Sequence, residues 1–354
     1  MSSIQCVFVG DLAFGDHPKS VGFGFHSRYA DGIPESKAAQ LLPTGWKPDV
    51  FFGNLEFTLA KKTLDDLPVT QRNCRGISGY AEFIRSAGFN VLNLANNHIY
   101  QYGREEFDRT LNVLTESGIL VAGIRDAPQD ASTLDIHGQT ICVLGWCARP
   151  RQGFSDVPPY WEFDHQRSLQ QISAASQSGA TVVASIHWGD EFVELPSPEE
   201  RRIARSMIDA GATLVVGHHP HAVREVEPYR DGLIAYSLGN FICDMTWNEV
   251  TRKTVALRVD IADRRIVNWE LKVGRIADDY FPRFDEATFE AASVEPQRPG
   301  AGDQLTYHAL ARDALRRHQR LTVRHILRNG LKYPPAIWWH MLKVALAGRI
   351  RLRG

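Results

Sequence analysis

The chain has 354 residues, 44% of them hydrophobic, and a formal net charge of −1. This is ample apolar material for one large packed domain or two, which excludes a disordered or fibrous chain, and no run reaches the ~18 apolar residues of a membrane span. The near-neutral total gives no general attraction for polyanions, but the charge is segregated: eleven Lys or Arg against the single acid Asp313 between His308 and Gly354 give that segment +10 and leave −11 before it.

Apolar runs at residues 4–9, 50–52, 91–94, 141–144, 182–186, 214–216 and 234–236 read as buried strands, alternating with helices at about 80–87, 104–117, 165–178 and 198–210. The last helix is punctuated: Ser197 as N-cap, Pro198 in the first turn, Glu199 and Glu200 facing the helix dipole, Gly211 as the stop. Beyond Asn240, alternating segments 254–259 and 266–273 around Ala262-Asp263-Arg264 predict a closing antiparallel hairpin. Residues 1–291 therefore read as one α/β domain, the Pro/Gly-rich 292–303 as a linker, and 304–354 as a basic, amphipathic helical tail. The N-terminus enters its first strand without a signal-peptide pattern, and Cys6, Cys74, Cys142, Cys147 and Cys243 suit free buried thiols, so the expected location is cytoplasmic.

Polar residues recur where predicted strands end: Gly10-Asp11, Gly53-Asn54-Leu55-Glu56, Asn96-Asn97-His98, His187-Trp188-Gly189 and Gly217-His218-His219-Pro220-His221. Singly, Asp11 reads equally as a turn residue, Asn96-Asn97-His98 as an Asx turn, and His187 as a hydrogen-bonded core histidine. Five strand ends each supplying a carboxylate, amide or imidazole are better accounted for by a shared divalent cation, because buried polar groups need partners. In the last segment Pro220 favours an extended backbone at His219, so His219 and His221 are expected to project together towards one ion and His218 to face away, into packing or to a place behind the ligands.

With Tyr236-Ser237-Leu238-Gly239-Asn240-Phe241, these motifs resemble in order and spacing the CapA (poly-γ-glutamate capsule biosynthesis) family, which looks like a divergent branch of the calcineurin-like metallophosphoesterases; the match covers about residues 4–275. The resemblance implies a four-layer αββα sandwich of metallophosphoesterase type, here with a C-terminal basic helical extension. It implies Asp11, Glu56, Asn97, His187, His219 and His221 as ligands of one or two divalent ions (Mn, Zn, Fe or Ca), Glu56 standing in the bridging position. His98 matches the imidazole that protonates the leaving group, and Asp11 is essential with it; Asn54, Asn96, Asn240 and Trp188, within the same motifs, are expected to contact substrate. Two positions depart from the phosphoesterase pattern: Ala13 replaces a histidine ligand, and Gln101 stands where the Asn-Asn-His motif usually continues to an aspartate.

The leading functional expectation is a metal-dependent hydrolase of capsule or exopolymer biosynthesis that uses metal-activated water on an anionic small molecule, peptide or polymer, with His98 as general acid. One alternative is a metal-dependent peptide epimerase acting on a Cα–H; another is a non-catalytic scaffold of a capsule synthesis or export complex, favoured by Ala13 and Gln101. The tail combines Trp338-Trp339, apolar residues and cations, which predicts peripheral contact with anionic membrane through residues 334–354. No nucleic-acid partner is expected, since no binding motif accompanies the charge.

Overall fold

The computed structural model describes residues 3–125, 132–284 and 304–340. The predicted linker 292–303, and the tail beyond residue 340, lie outside them. From the N-terminus the chain forms β1 (Ile4–Leu12), α1 (Phe25–Tyr29), β2 (Val50–Leu55), β3 (Thr58–Lys61), β4 (Arg75–Ile77), α2 (Tyr80–Ser86), β5 (Val91–Asn93), α3 (Arg104–Glu116) and β6 (Leu120–Ala122). There follow β7 (Ser132–Ile136), β8 (Gln139–Cys147), α4 (His165–Gln177), β9 (Thr181–His187), α5 (Pro198–Asp209), β10 (Leu214–His218), β11 (Val226–Tyr229) and β12 (Gly232–Ala235). The described chain closes with β13 (Asn240–Ile242), α6 (Glu249–Arg252), β14 (Lys253–Ala262), β15 (Arg265–Ile276), β16 (Pro282–Arg283) and α7 (Gln304–Arg328).

Two mixed sheets result, ordered β16-β15-β14-β1-β2-β5-β6 with β13 beside β1, and β11-β12-β10-β9-β8-β7. Period-two alternation decides what each strand face meets. Ile4, Cys6 and Phe8 of β1 and Phe52 of β2 pack with Val183, Leu214, Val216 and Leu233 of the second sheet in one apolar cluster. The alternate residues Val7, Val9 and Phe51 turn to Tyr80, Phe83, Phe107 and Leu114 of α2 and α3. On the second sheet Leu144, Val182 and Ala184 meet Ile172 of α4 and Met207 of α5. Strands buried on both faces account for the unbroken apolar runs in the sequence.

The predicted hairpin is β14–β15, closed by Asp263 and Arg264 at φ 49° and 66°, the paired left-handed residues of a tight two-residue turn. All five cysteines are buried and free. The tail helix α7 lies against the body: Tyr307, Ala311 and Ala314 pack with Phe192 and Val193, and the His318 ring stacks on Phe192 at 3.6 Å with an interplanar angle of 2°. No helix among the described residues is long and apolar enough to cross a membrane.

Candidate metal centre

Strand register gathers the motif residues. Across the first sheet Asp11 pairs with Asn54, Asn54 with Asn93, and Asp11 again with Asn240, so four polar side chains form a row at the strand ends. Across the second, His218 pairs with His187. The sheets face each other, so the rows converge. Two glycines of the motifs permit the approach: a Cβ on Gly10 would collide with the Gly239 carbonyl, and one on Gly217 with the Tyr236 carbonyl and the Trp188 ring.

The histidine loop differs from its expectation. His219 and His221 have φ of 94° and 52°, so the backbone passes through the left-handed region instead of remaining extended at His219. The steric bias of Pro220 is overridden, and two strained residues of this kind mark a site whose surroundings fix the conformation. The rings nevertheless converge, 5.7 Å apart at their centroids, with His187 4.8 Å from His219. His218 packs between the sheets near Phe52, its Nδ1 3.5 Å from Asp11 Oδ1.

Among the described residues, two donor groups share Glu56: Glu56 with His187 and His219, and Asp11 with Glu56 and His221, the donor atoms of each lying within 4.8 Å of one another. Asn97 joins the first group, its Oδ1 2.8 Å from His187 Nε2. All six expected ligands are therefore brought together and all are buried. The arrangement fits a cation because it is incomplete without one: both ring nitrogens of His219 and Oε1 of Glu56 are buried with no hydrogen-bond partner.

Electrostatics point the same way. Burial pushes the Glu56 carboxyl up to about 8, with Asp11 and Glu191 adding to the rise and His221 opposing it. Asp11 sits below the usual carboxylate range although burial alone would raise it, because the imidazoles of His218, 3.5 Å away, and of His221 and His187 close by favour its ionised form. Burial holds His187 and His219 neutral, the form that binds metal. For His221 burial is outweighed by the carboxylates of Glu56, Asp11 and Glu191, and its pKa rises.

The residues expected to meet substrate are engaged inside the protein. Asn54 donates to Asp11 Oδ1 at 2.8 Å and accepts from Asn93 at 2.9 Å, orienting the carboxylate. Asn96 donates to the Leu55 carbonyl and its Oδ1 accepts from the amides of His98 and Ile99, an Asx turn that shapes the loop. Asn240 Oδ1 lies 2.8 Å from His221 Nδ1, and Trp188 is a core side chain bonded to the Tyr236 carbonyl. None of the four lines the cavity of about 160 Å³ beside the donor groups, whose walls include Ala13, His17, Glu56, His98, Glu191 and His221. His98 Nδ1 is held by Gln101 Oε1 at 2.9 Å, so the glutamine supplies an uncharged orienting acceptor where a carboxylate was expected. His17 and Glu191 were missed by the motif reading; Glu191 carried a signal, four residues after His187, but exposed acids are too common to stand out.

The family model described as bacterial capsule synthesis protein PGA_cap matches residues 5–245. The PGA biosynthesis protein CapA of Bacillus subtilis is 32% identical over 260 residues, covering 69% of this chain and 64% of the relative. The capsule biosynthesis protein CapA of Bacillus anthracis is 28% identical over 273 residues, covering 73% and 64%. A probable polyglutamine synthesis accessory protein of Mycobacterium tuberculosis is 26% identical over 174 residues, covering 44% of this chain and 45% of its own. The chain thus spans 64% of the length of the two Bacillus relatives, and α7 lies beyond the matched region. The converging motifs and a match over most of the chain place this protein in the PGA_cap family of bacterial capsule synthesis proteins.

Proposed function

We propose that the protein is a metal-dependent hydrolase of capsule or poly-γ-glutamate-type polymer biosynthesis, with the four-layer αββα layering of a metallophosphoesterase. The observation that carries the reading is the pair of buried donor groups sharing Glu56, with both ring nitrogens of His219 left without a hydrogen-bond partner. Asp11, Glu56, Asn97, His187, His219 and His221 would hold one or two divalent ions, and their mixed nitrogen and oxygen donors suit Mn, Zn or Fe, with Ca at a carboxylate-rich position. Such an ion supplies Lewis acidity towards a phosphoryl or acyl oxygen and lowers the pKa of water.

The chain's own residues do the rest. Asn54 and Asn240 orient Asp11 and His221. His98, fixed at Nδ1 by Gln101, keeps Nε2 to exchange a proton with the leaving group. Burial lowers its pKa, with Gln101 opposing, so the neutral ring is favoured and Nε2 takes up a proton before it can pass one to the leaving group. Phe57 and Phe192 in the cavity wall limit access of water.

The test is turnover of phosphomonoesters, phosphodiesters and γ-glutamyl peptides by the protein loaded with Mn²⁺ or Zn²⁺. Activity that falls by ~10³-fold or more in Asp11→Ala supports the reading; equal rates for the two proteins overturn it. Peripheral contact with anionic lipid through residues 334–354 is proposed as well, supported by exposed Leu327, Leu331 and Trp339 beside the α7 cations.

A further inference from the structure

We propose that Glu191 is a metal ligand, supplying from the loop after β9 the donor that Ala13 cannot give. The inference rests on the metal-dependent reading above and adds a seventh residue to the centre. Ala13 is buried at the cavity wall and offers only a methyl group. Glu191 lines the same cavity, and one carboxylate oxygen lies within 4.8 Å of ring nitrogens of both His219 and His221. His221 also belongs to the group with Asp11 and Glu56, and Ala13, where the resemblance implies a histidine, lines the cavity together with Glu56 and His221.

The placement of Glu191 is built. The Phe192 amide donates to the Pro220 carbonyl at 2.7 Å, tying its segment to the histidine loop. Gly189 and Phe192 bracket it with φ of 81° and 66°, and the left-handed Phe192 is held by the flat stack of His318. From the other side, the buried Arg224 donates to the carbonyls of Asp190, at 3.0 Å, and Val193, at 2.8 Å. Both sides of the Glu191 backbone are thus pinned, while its side chain stays exposed. A carboxylate in place of an imidazole adds one negative charge and a hard oxygen donor, which shifts the position towards Mn²⁺ over softer ions.

The test is calorimetric titration of Mn²⁺ into the metal-free full chain and its Glu191→Gln variant. Because Glu191 is exposed, the variant is expected to fold, which an unchanged melting temperature of the metal-free protein checks. The expected result is at least about tenfold weaker binding of one Mn²⁺ in Glu191→Gln, with any second ion retained. Identical stoichiometry and affinity in the two proteins overturn the role of Glu191 and leave the metal centre standing. No binding of Mn²⁺ by the unaltered chain overturns the role of Glu191, and failure to bind Zn²⁺, Fe²⁺ and Ca²⁺ as well overturns both.

Discussion

Asp244 shows how a single carboxyl near the site is controlled. It is buried, Oδ2 accepts from the amides of His17 and Phe25, Oδ1 has no partner, and burial together with the charge of Asp16 pushes its pKa up to about 8. A folded-state value above the unfolded one means that the native protein resists ionisation: stability falls as pH rises from the unfolded value near 4 to about 8, and the full penalty persists above. Asparagine keeps the acceptor and removes the charge. Asp244→Asn should therefore melt at the same temperature as the parent near pH 4 and higher at pH 8.5, the gap widening between. A gap independent of pH would contradict this. At this scale the sequence disclosed the centre where chemistry and position coincide, as with Asp11, His187 and His221, because a polar group ending a buried strand needs a partner. It did not disclose the left-handed backbone at His219, since local sterics at Pro220 predict the opposite and only the packed sheets impose the turn.

Among the elements, α5 links stability to the site. Ser197 Oγ accepts from the Glu200 amide at 3.1 Å, and Glu200 Oε2 accepts from the Ser197 amide at 2.6 Å, the reciprocal cap anticipated in part from Ser197-Pro198-Glu199-Glu200. Glu200 Oε1 also receives Arg224 at 2.5 Å, and Arg224 holds the loop carrying Glu191. The cap was legible because its residues are neighbours. The Arg224 tie was not, because it spans 24 residues and depends on the fold that brings them together. Ser197→Ala should lower unfolding free energy by about 1 kcal/mol, measured by denaturant titration. A midpoint equal to the parent's would show that the cap contributes nothing here.

For the whole molecule, the long strands buried on both faces were readable, and so was short β5, whereas three-residue β6 and β13 take their identity from partners distant in sequence. The tail was readable as a helix but not as to its partner, since its cations suit acidic protein or acidic lipid alike. The structure divides it by face. The inner side carries Tyr307, Ala314 and His318 against the body, and Trp247 Nε1 donates to Thr322 at 3.2 Å. The cations Arg312, Arg316, Arg320, Arg324 and Arg328 remain exposed, with Leu327 72% and Trp339 65% exposed among them. Docking on the body thus uses one face and leaves the basic, apolar one exposed, the face that the proposed contact with an anionic bilayer would use. Each cation held near such a surface contributes about 1 kcal/mol. A chain ending at Tyr333 lacks Lys343, Arg349, Arg351 and Arg353 and should partition onto phosphatidylserine vesicles at least about tenfold more weakly than the full chain. Both should release as salt is raised, because screening shortens the reach of surface charge. Co-sedimentation measures the difference, with phosphatidylcholine vesicles as the uncharged reference. Equal binding by the two chains would remove residues 334–354 from any membrane role.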